Sequence, residues 1–594
     1  MSGISGGEVD EASLRKMLDG ISGDDSEIRW RHEAGNYSLG IRYPQTDPHG
    51  AAVWEDGSRA GVIYGAITNL DELSLTVDQA LEQLLDRPTE VAPKLEGGFL
   101  IVCYDATDNR FVLVTDKLGA RSCYYTTNAG FQFATAVDVL LPNIKEPTLN
   151  AQAANDMLLM GHLWGDHTLV TQIKAMRPAT VLEVVNGKRS FERYWKPDYS
   201  EEESGPEYVT ELVNRYRQAI RRTSKTLPSE AGIWLSGGLD SRTTASALME
   251  QTSPEGFNTL RAYTYNANPP TGDNTRIASD VAQRLGIPLK QIPFTAETVA
   301  ENFEQIIEAT DGTVRWISTL NLSATYAVDR VSPVMMEGMQ GALVGDHLLR
   351  HHLDGSRSAV EAQYESEAGS SVEAVQRVLS PDIDPFSTFK EEVKYTSELS
   401  SREQVLDIHF QNYYNRHTLA SNRLMRDCGG SRVPHADGDY LEWCAKLPHQ
   451  YRKGTVSLPI GQEDRIPLGT SPVKLELSRS ISPELTDITY ERTKIKPKWP
   501  YPFHVGGFFT NVIVNRLRSK PTYGNGQLAD FWIRDVDTRL HDRVAKLVDD
   551  AASRDLFDGD AVRETFDAHM SGANNAPMIS QITTLEYWIQ THLD

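Results

Sequence analysis

The residues best suited to chemistry lie in one short run, Ser236-Gly237-Gly238-Leu239-Asp240-Ser241, inside AGIWLSGGLDSRTTASAL (Ala231–Leu248). An apolar stretch ends there in two glycines, one acid and two serines, and a helical pattern follows. Glycines lack a Cβ, so backbone N–H groups can approach phosphate oxygens closely. Ser236 and Ser241 add hydroxyl donors, and the following helix directs its positive end at an anion. Asp240 is the odd member, because a carboxylate repels phosphate unless a cation lies between them. Mg2+ bridging phosphate oxygens removes that difficulty. No lysine follows as in GxxxxGK[ST], and GxGxxG is absent, so the turn is neither a P-loop nor a dinucleotide fingerprint. A purely structural alternative has Asp240 or Ser241 capping the helix while the glycines turn the chain.

Such a turn needs a strand before it and a helix after it. Around it, helix-like stretches (YVTELVNRYRQAIRRT, RTTASALMEQ, TRIASDVAQRLG) alternate with short apolar runs (AGIWLSGG, LRAYTYN), the pattern of a parallel α/β sheet. In such sheets ligands bind beyond the carboxyl ends of strands. Farther on the pattern is mostly helical. Before residue 195 the chain reads differently: GFLIVCYD (Gly98–Asp105), RFVLVTD (Arg110–Asp116) and GFQFATA (Gly130–Ala136) are strand-like, and TDN between the first two reads as a hairpin turn. Stacked antiparallel sheets are expected there. The acidic, aperiodic WKPDYSEEESGPEY (Trp195–Tyr208) reads as a linker. The expected organisation is 1–195, a linker over 196–208, and 209–594.

With 594 residues the chain exceeds one core. Asp and Glu (82) outnumber Lys and Arg (59), and the net charge of −23 disfavours nucleic acid and anionic membranes as partners. The four cysteines (Cys103, Cys123, Cys428, Cys444) form no CxxC pair, which argues against a disulfide framework or a zinc site. MSGISGGEVDEASLRKML lacks a basic then apolar leader, and no run approaches the roughly 20 apolar residues that span a bilayer. A cytoplasmic protein is expected.

SGGLDS resembles the signature of the N-type ATP pyrophosphatases, which split ATP to AMP and pyrophosphate while adenylating a substrate. Three further stretches are similar to class B asparagine synthetases and their relative β-lactam synthetase. They are LEGGFLIVCYDATDNRFVLVTDKLGARSCYYTTNAGFQFATAVDVLL, RHTLASNRLMRDCGGSRVPHADGDYLEWCAKLPHQYR and LFDGDAVRETFDAHMSGANNAPMISQITTLEYWIQTHL. The resemblance implies an α/β plus α+β protein. Its amino-terminal part is an Ntn-hydrolase-like αββα sandwich of glutamine amidotransferase type, followed by a parallel-sheet ATP pyrophosphatase domain with a helical carboxyl-terminal part. It implies ATP and Mg2+, with Ser236, Gly237, Gly238, Leu239, Asp240 and Ser241 on the pyrophosphate loop and Asp240 as a metal ligand. Trp234 and Thr264 flank the nucleoside. Lys494, with Lys496 as its rival in YERTKIKPKW, matches the lysine that stabilises charge as acyl-adenylate forms or collapses.

Two departures stand out against that family. Its second active-site segment, roughly SGEGSDE, corresponds to MEGMQGALVGDHLLRHH (Met336–His352). Gly338 fits the first glycine, Met339 takes the place of the catalytic Glu, and Asp346 either restores a metal ligand or caps a helix. The family's amino-terminal Cys nucleophile is Ser2 here, and its oxyanion-hole Asn corresponds to Tyr64, with Arg42 and Asp78 as the glutamine-binding remnant. Losing one oxyanion donor costs on the order of 100-fold in rate, so a silent glutaminase domain is expected. The implied function is an ATP-dependent amide-forming ligase joining a small carboxylate to ammonia or an amine, with a homodimer left open. The alternatives are a glutamine-hydrolysing asparagine synthetase using Ser2 and a catalytically silent ATP-binding protein. A tRNA-modifying relative is disfavoured by the acidic balance and the missing CxxC.

Overall fold

A computed structural model describes residues 2–21, 28–34, 37–266, 273–328, 331–344, 357–420, 423, 429–453, 471–517 and 525–594. The amino-terminal third supplies β1 (Gly3–Gly7), β2 (Ile28–Ala34), β3 (Tyr37–Tyr43), β4 (Ala51–Asp56), β5 (Arg59–Ile67), β6 (Gly97–Asp105), β7 (Arg110–Thr115), β8 (Tyr124–Thr126), β9 (Gln132–Ala134), β10 (Lys174–Ala175), β11 (Thr180–Val185) and β12 (Lys188–Arg193). They form two six-stranded antiparallel sheets, ordered β10-β8-β9-β1-β3-β2 and β12-β11-β7-β6-β5-β4.

Period-two alternation decides which residues meet. Val62, Tyr64, Leu100, Val102 and Leu113 face Ile4, Leu39 and Phe133 between the sheets. Their neighbours Ile63, Ile101 and Val112 point outward onto Leu81 and Leu84 of the helix Val77–Asp86. On the other outer face the helix Glu11–Gly20 buries Leu14, Met17 and Leu18, the i, i+3, i+4 stripe of an amphipathic helix. The result is the expected αββα stack. The hairpin between β6 and β7 turns through Asn109 at φ 51°, a conformation that Asn tolerates well.

A second region builds the parallel sheet from β13 (Glu230–Trp234), β14 (Thr259–Tyr265), β15 (Leu289–Ile292), β16 (Val334–Met336) and β17 (Gly430–Arg432), ordered β15-β14-β13-β16-β17. Every pairing in it is parallel. The helix Asp273–Leu285 ends before Gly286 at φ 69°, the left-handed stop anticipated from RLG. One hydrophobic core runs from Leu14 and Tyr124 through Ile233 and Ala245 to Trp588, so the sandwich and the parallel sheet share packing.

The connector differs from a free linker. Its helix starts at Pro206, since proline suits the first turn, where its missing N–H has no partner to lose. Tyr199 is buried and donates to Asp407 Oδ1 at 2.7 Å, beside the two-pronged Arg193–Asp407 pair. No helix among the described residues is long and apolar enough to cross a membrane.

Candidate active site

β13 is the middle strand of the parallel sheet. The chain leaves it for β14 and β15 on one side and later returns to β16 on the other, so its carboxyl end is the topological switch point where such sheets bind ligands. The SGGLDS turn occupies that point. Asp240 is the first residue of the helix Asp240–Met249, and Leu239 before it makes no side-chain cap. Neither acid nor serine is spent on capping, contrary to the structural alternative. Ser241 Oγ instead accepts from the Ser236 N–H at 3.0 Å, Ser236 Oγ accepts from the Gly238 N–H at 3.2 Å, and Asn274 Oδ1 accepts from the Gly237 N–H at 2.8 Å.

Arg242, fully buried, holds the turn from below. It donates to the carbonyls of Gly238 (2.7 Å), Gly237 (2.9 Å), Ile488 (3.0 Å) and Thr489 (3.0 Å). Burial pulls its guanidinium down to about 10, against the attraction of Tyr490 and Glu491. The same 488–491 segment touches the turn again, where the Glu491 N–H donates to the Gly237 carbonyl at 3.1 Å. A Cβ on Gly237 would stand 2.8 Å from Glu491 Cβ, an atom fixed to its backbone, so glycine is favoured there by contact.

Groups from three other elements surround Asp240. Lys474, on the helix Pro472–Ile481, donates to Asp240 Oδ2 at 2.7 Å, both side chains being about a quarter exposed (24% and 28%). Gly338, just past β16, lies against Ser241 and Trp234, and its carbonyl accepts from Thr244 Oγ1 at 3.2 Å. Glu337 precedes it; lost hydration pushes its carboxyl up to about 7, negative Asp240 adds to the rise, and the Gly338 and Met339 N–H groups oppose it. Met339 packs on the main core. His435, past β17, is buried with no partner for either ring nitrogen among the described residues. Its burial pulls the ring down to about 4, against attraction to Asp240.

The two candidate lysines part company. Lys494 Nζ donates to Asp273 Oδ2 at 2.9 Å, and Asp273 adjoins the Asn274 that binds the turn. Lys496 pairs instead with Asp487 at 3.4 Å, on an exposed stretch. Trp234 is half-buried against Tyr263 and Tyr265, and the Thr264 hydroxyl is buried without a partner among the described residues. Asp346 and Cys428 lie outside the described residues.

The amino-terminal site is a separate place. Ser2 Oγ and Tyr64 Oη are 2.9 Å apart in a cavity of about 10 Å3, the space of a single water. Strand β17 closes it: Arg121 donates to Ser431 Oγ (2.7 Å) and Ser431 O (2.6 Å), and Arg432 grips Asp47 with two bonds of 2.8 and 2.7 Å. Neither Arg42 nor Asp78 lines the cavity. Asp78 is exposed on the outer helix Val77–Asp86, a layer away, because that helix packs on the far face of the second sheet. The placement of Asp78 with Ser2 is thereby corrected.

A family model described as a glutamine amidotransferase domain matches residues 80–195, and one described as asparagine synthase matches residues 216–457. The two matches together support membership of the class B asparagine synthetase family. Among similar proteins, asparagine synthetase [glutamine-hydrolyzing] 2 of Bacillus subtilis is 24% identical over 268 residues, 40% of this chain and 35% of that protein. Amidase chry2 of Gibberella zeae is 24% identical over 275 residues (42% of this chain, 39% of that protein). Amidase chyE of Penicillium rubens is 23% identical over 275 residues, with the same two shares of 42% and 39%. The chain thus spans less than half the length of the curated relatives it matches.

Within this chain, sequence reasoning missed Lys474, Glu337, His435, Asn274 and Arg242. Arg242 directly follows the motif and was open to notice; the other four carry no motif of their own. Oxygen donors at Asp240 and Glu337 suit Mg2+, which prefers one or two carboxylates plus substrate phosphates to an all-protein cage.

The buried His435 carries a pH prediction. Its folded pKa of about 4 lies below the ordinary 6.5, so the unfolded chain binds the extra proton between those values. Stability contributed by the neutral ring is present above 6.5 and lost as pH falls toward 4. The stability of His435→Phe relative to wild type is therefore expected to rise by about 2 kcal/mol between pH 6.5 and pH 5, at about 1.4 kcal/mol per pH unit. Urea denaturation at both pH values measures it, and an unchanged difference would contradict the assignment.

Proposed function

We propose that the chain is an ATP- and Mg2+-dependent amide-forming ligase that adenylates a carboxylate and passes the acyl group to ammonia or an amine, releasing AMP and pyrophosphate. The observation that carries this reading is the SGGLDS turn at the switch point of the parallel sheet, with the Asp240 carboxylate left over from helix capping. The N–H groups of the Ser236, Gly237 and Gly238 turn are held by Ser241, Asn274 and Ser236, so the first turn of the helix Asp240–Met249 binds pyrophosphate oxygens through its backbone N–H groups. Asp240 and Glu337 hold magnesium, which when bound offsets the charge on those oxygens. Lys474 supplies a cation at the same point, and Lys494 faces the turn through Asp273 and balances charge as the acyl group is transferred. Trp234 and Thr264 bound the nucleoside.

Met339 in place of an acidic side chain supports a nitrogen donor or an acid different from those of asparagine formation. ATP–pyrophosphate exchange over a panel of carboxylic acids tests the ligase: acid-dependent exchange is expected, and none with any acid despite ATP binding would favour a silent ATP-binding protein instead. The amino-terminal region serves as scaffold in this reading, because a cavity of about 10 Å3 beside Ser2 has no room for glutamine. Glutamate release from glutamine, with ATP and without, is expected at background, and Ser2→Ala is expected to leave pyrophosphate exchange unchanged. Glutamine-dependent release abolished by Ser2→Ala would restore the glutaminase.

A further inference from the structure

The helix Tyr501–Leu517 carries Gly506 and Gly507 side by side near its middle. Each interior glycine costs a helix roughly 0.5–1 kcal/mol relative to alanine, so a paired occurrence calls for two reasons. Gly507 is a point of contact: a Cβ there would collide with the Thr493 carbonyl and the Ile495 side chain. Gly506 is a point of emptiness, where a Cβ would meet nothing within 4 Å.

The empty space is a cavity of about 620 Å3 between that helix and the 493–495 loop, within the roughly 300–1,000 Å3 typical of small-molecule sites. Phe503, Gly506, Gly507, Thr510 and Val514 line it from one helix face at three- and four-residue spacing, opposite Ile495. Lys494 is the single charged residue of the lining. Its backbone sits at φ 59°, a left-handed conformation that costs a lysine on the order of 1 kcal/mol. That twist accompanies the reach of its Nζ to Asp273, one residue from the Asn274 that binds Gly237. The cavity is thereby linked to the SGGLDS turn through Lys494, Asp273 and Asn274.

We infer that this cavity receives the apolar body of the carboxylic acid activated at the SGGLDS turn, an acid with a medium-length aliphatic or aromatic tail. The inference rests on the ligase reading and specifies its substrate class. A carboxylate oxygen of that acid attacks the α-phosphorus of ATP, the bond to the bridging oxygen breaks, and pyrophosphate leaves with the electron pair. A second carboxylate, as in aspartate, would lie among apolar groups with no second cation among the lining residues, a costly desolvation.

The test compares wild type with Gly506→Leu, which adds apolar bulk to the cavity from a position where a Cβ meets nothing within 4 Å, and with Gly506→Ala, which changes the backbone preference but little volume. ATP–pyrophosphate exchange is measured with acetate, aspartate, octanoate and 4-phenylbutyrate, alongside calorimetric binding of octanoate and of ATP with Mg2+. Octanoate or 4-phenylbutyrate is expected to show a KM at least tenfold below that of acetate. Gly506→Leu is expected to raise that KM and the octanoate Kd at least tenfold, and Gly506→Ala less than threefold. Exchange best supported by aspartate, and indifferent to Gly506→Leu, would overturn the cavity assignment and leave the ligase intact. Absence of exchange with every acid would remove the ligase reading and this inference with it. Concentration-dependent self-association abolished by Gly506→Leu, with no octanoate binding, would assign the cavity to a protein contact and also overturn it.

Discussion

Replacing Asp240 by Asn is expected to lower acid-dependent ATP–pyrophosphate exchange by about 100- to 1,000-fold, the usual scale for removing one charge-stabilising group from an active site. The substitution keeps the shape of the side chain and an oxygen that can still accept from Lys474, now 2.7 Å away. What it removes is the negative charge that balances a cation on the phosphates. Stability is expected to change by less than about 1 kcal/mol, because the Asp240–Lys474 pair is partly open to water and such pairs are screened. The two magnitudes separate function from folding: a large loss of exchange with an unshifted melting temperature supports a catalytic carboxylate. Exchange within threefold of wild type would place the cation elsewhere and remove the basis for the proposed chemistry.

Arg242→Met is expected to act the other way, on the fold first. Methionine fills much of the same volume but leaves the carbonyls of Gly238, Ile488 and Thr489 without the Arg242 donor, while that of Gly237 loses one of its two donors and keeps the Glu491 N–H. Buried acceptors deprived of partners cost about 1–3 kcal/mol each, and with local relaxation the total is expected near 3–5 kcal/mol. Because two of the four carbonyls belong to the turn and two to the segment leading to Lys494, exchange should fall as well, even at temperatures where the variant stays folded. Arg242→Lys keeps the charge without the planar fork and is expected to recover part of the stability. Denaturant midpoints and exchange rates measured on both variants check this; a loss of stability below about 0.5 kcal/mol in the methionine variant would show that water replaces the guanidinium.

Much of the site was open to reading from the chain alone, for a local reason. The SGGLDS turn needs an apolar strand, two residues without side-chain bulk and a helix start, all within Ala231–Leu248, and neighbouring residues state those needs directly. The two strand regimes were equally legible, since the nearly unbroken apolar runs of β6, β7 and β11, buried along almost their whole length, are a property of each strand by itself. Likewise Gly286 stops a helix through its own φ.

Tertiary structure alone decided what surrounds the turn. Lys474 reaches Asp240 across 234 positions, and Arg121 reaches Ser431 across 310. Such pairs follow from the strand order of the parallel sheet, which brings the ends of β13, β16 and β17 together and lays β17 against the sandwich. Glu337 and His435 are ordinary residues in their own segments and acquire a role only where those strand ends converge. The same packing shut the space beside Ser2 and opened the one beside Gly506. Volume and contact belong to the assembled layers, whereas turn chemistry and periodicity belong to the chain.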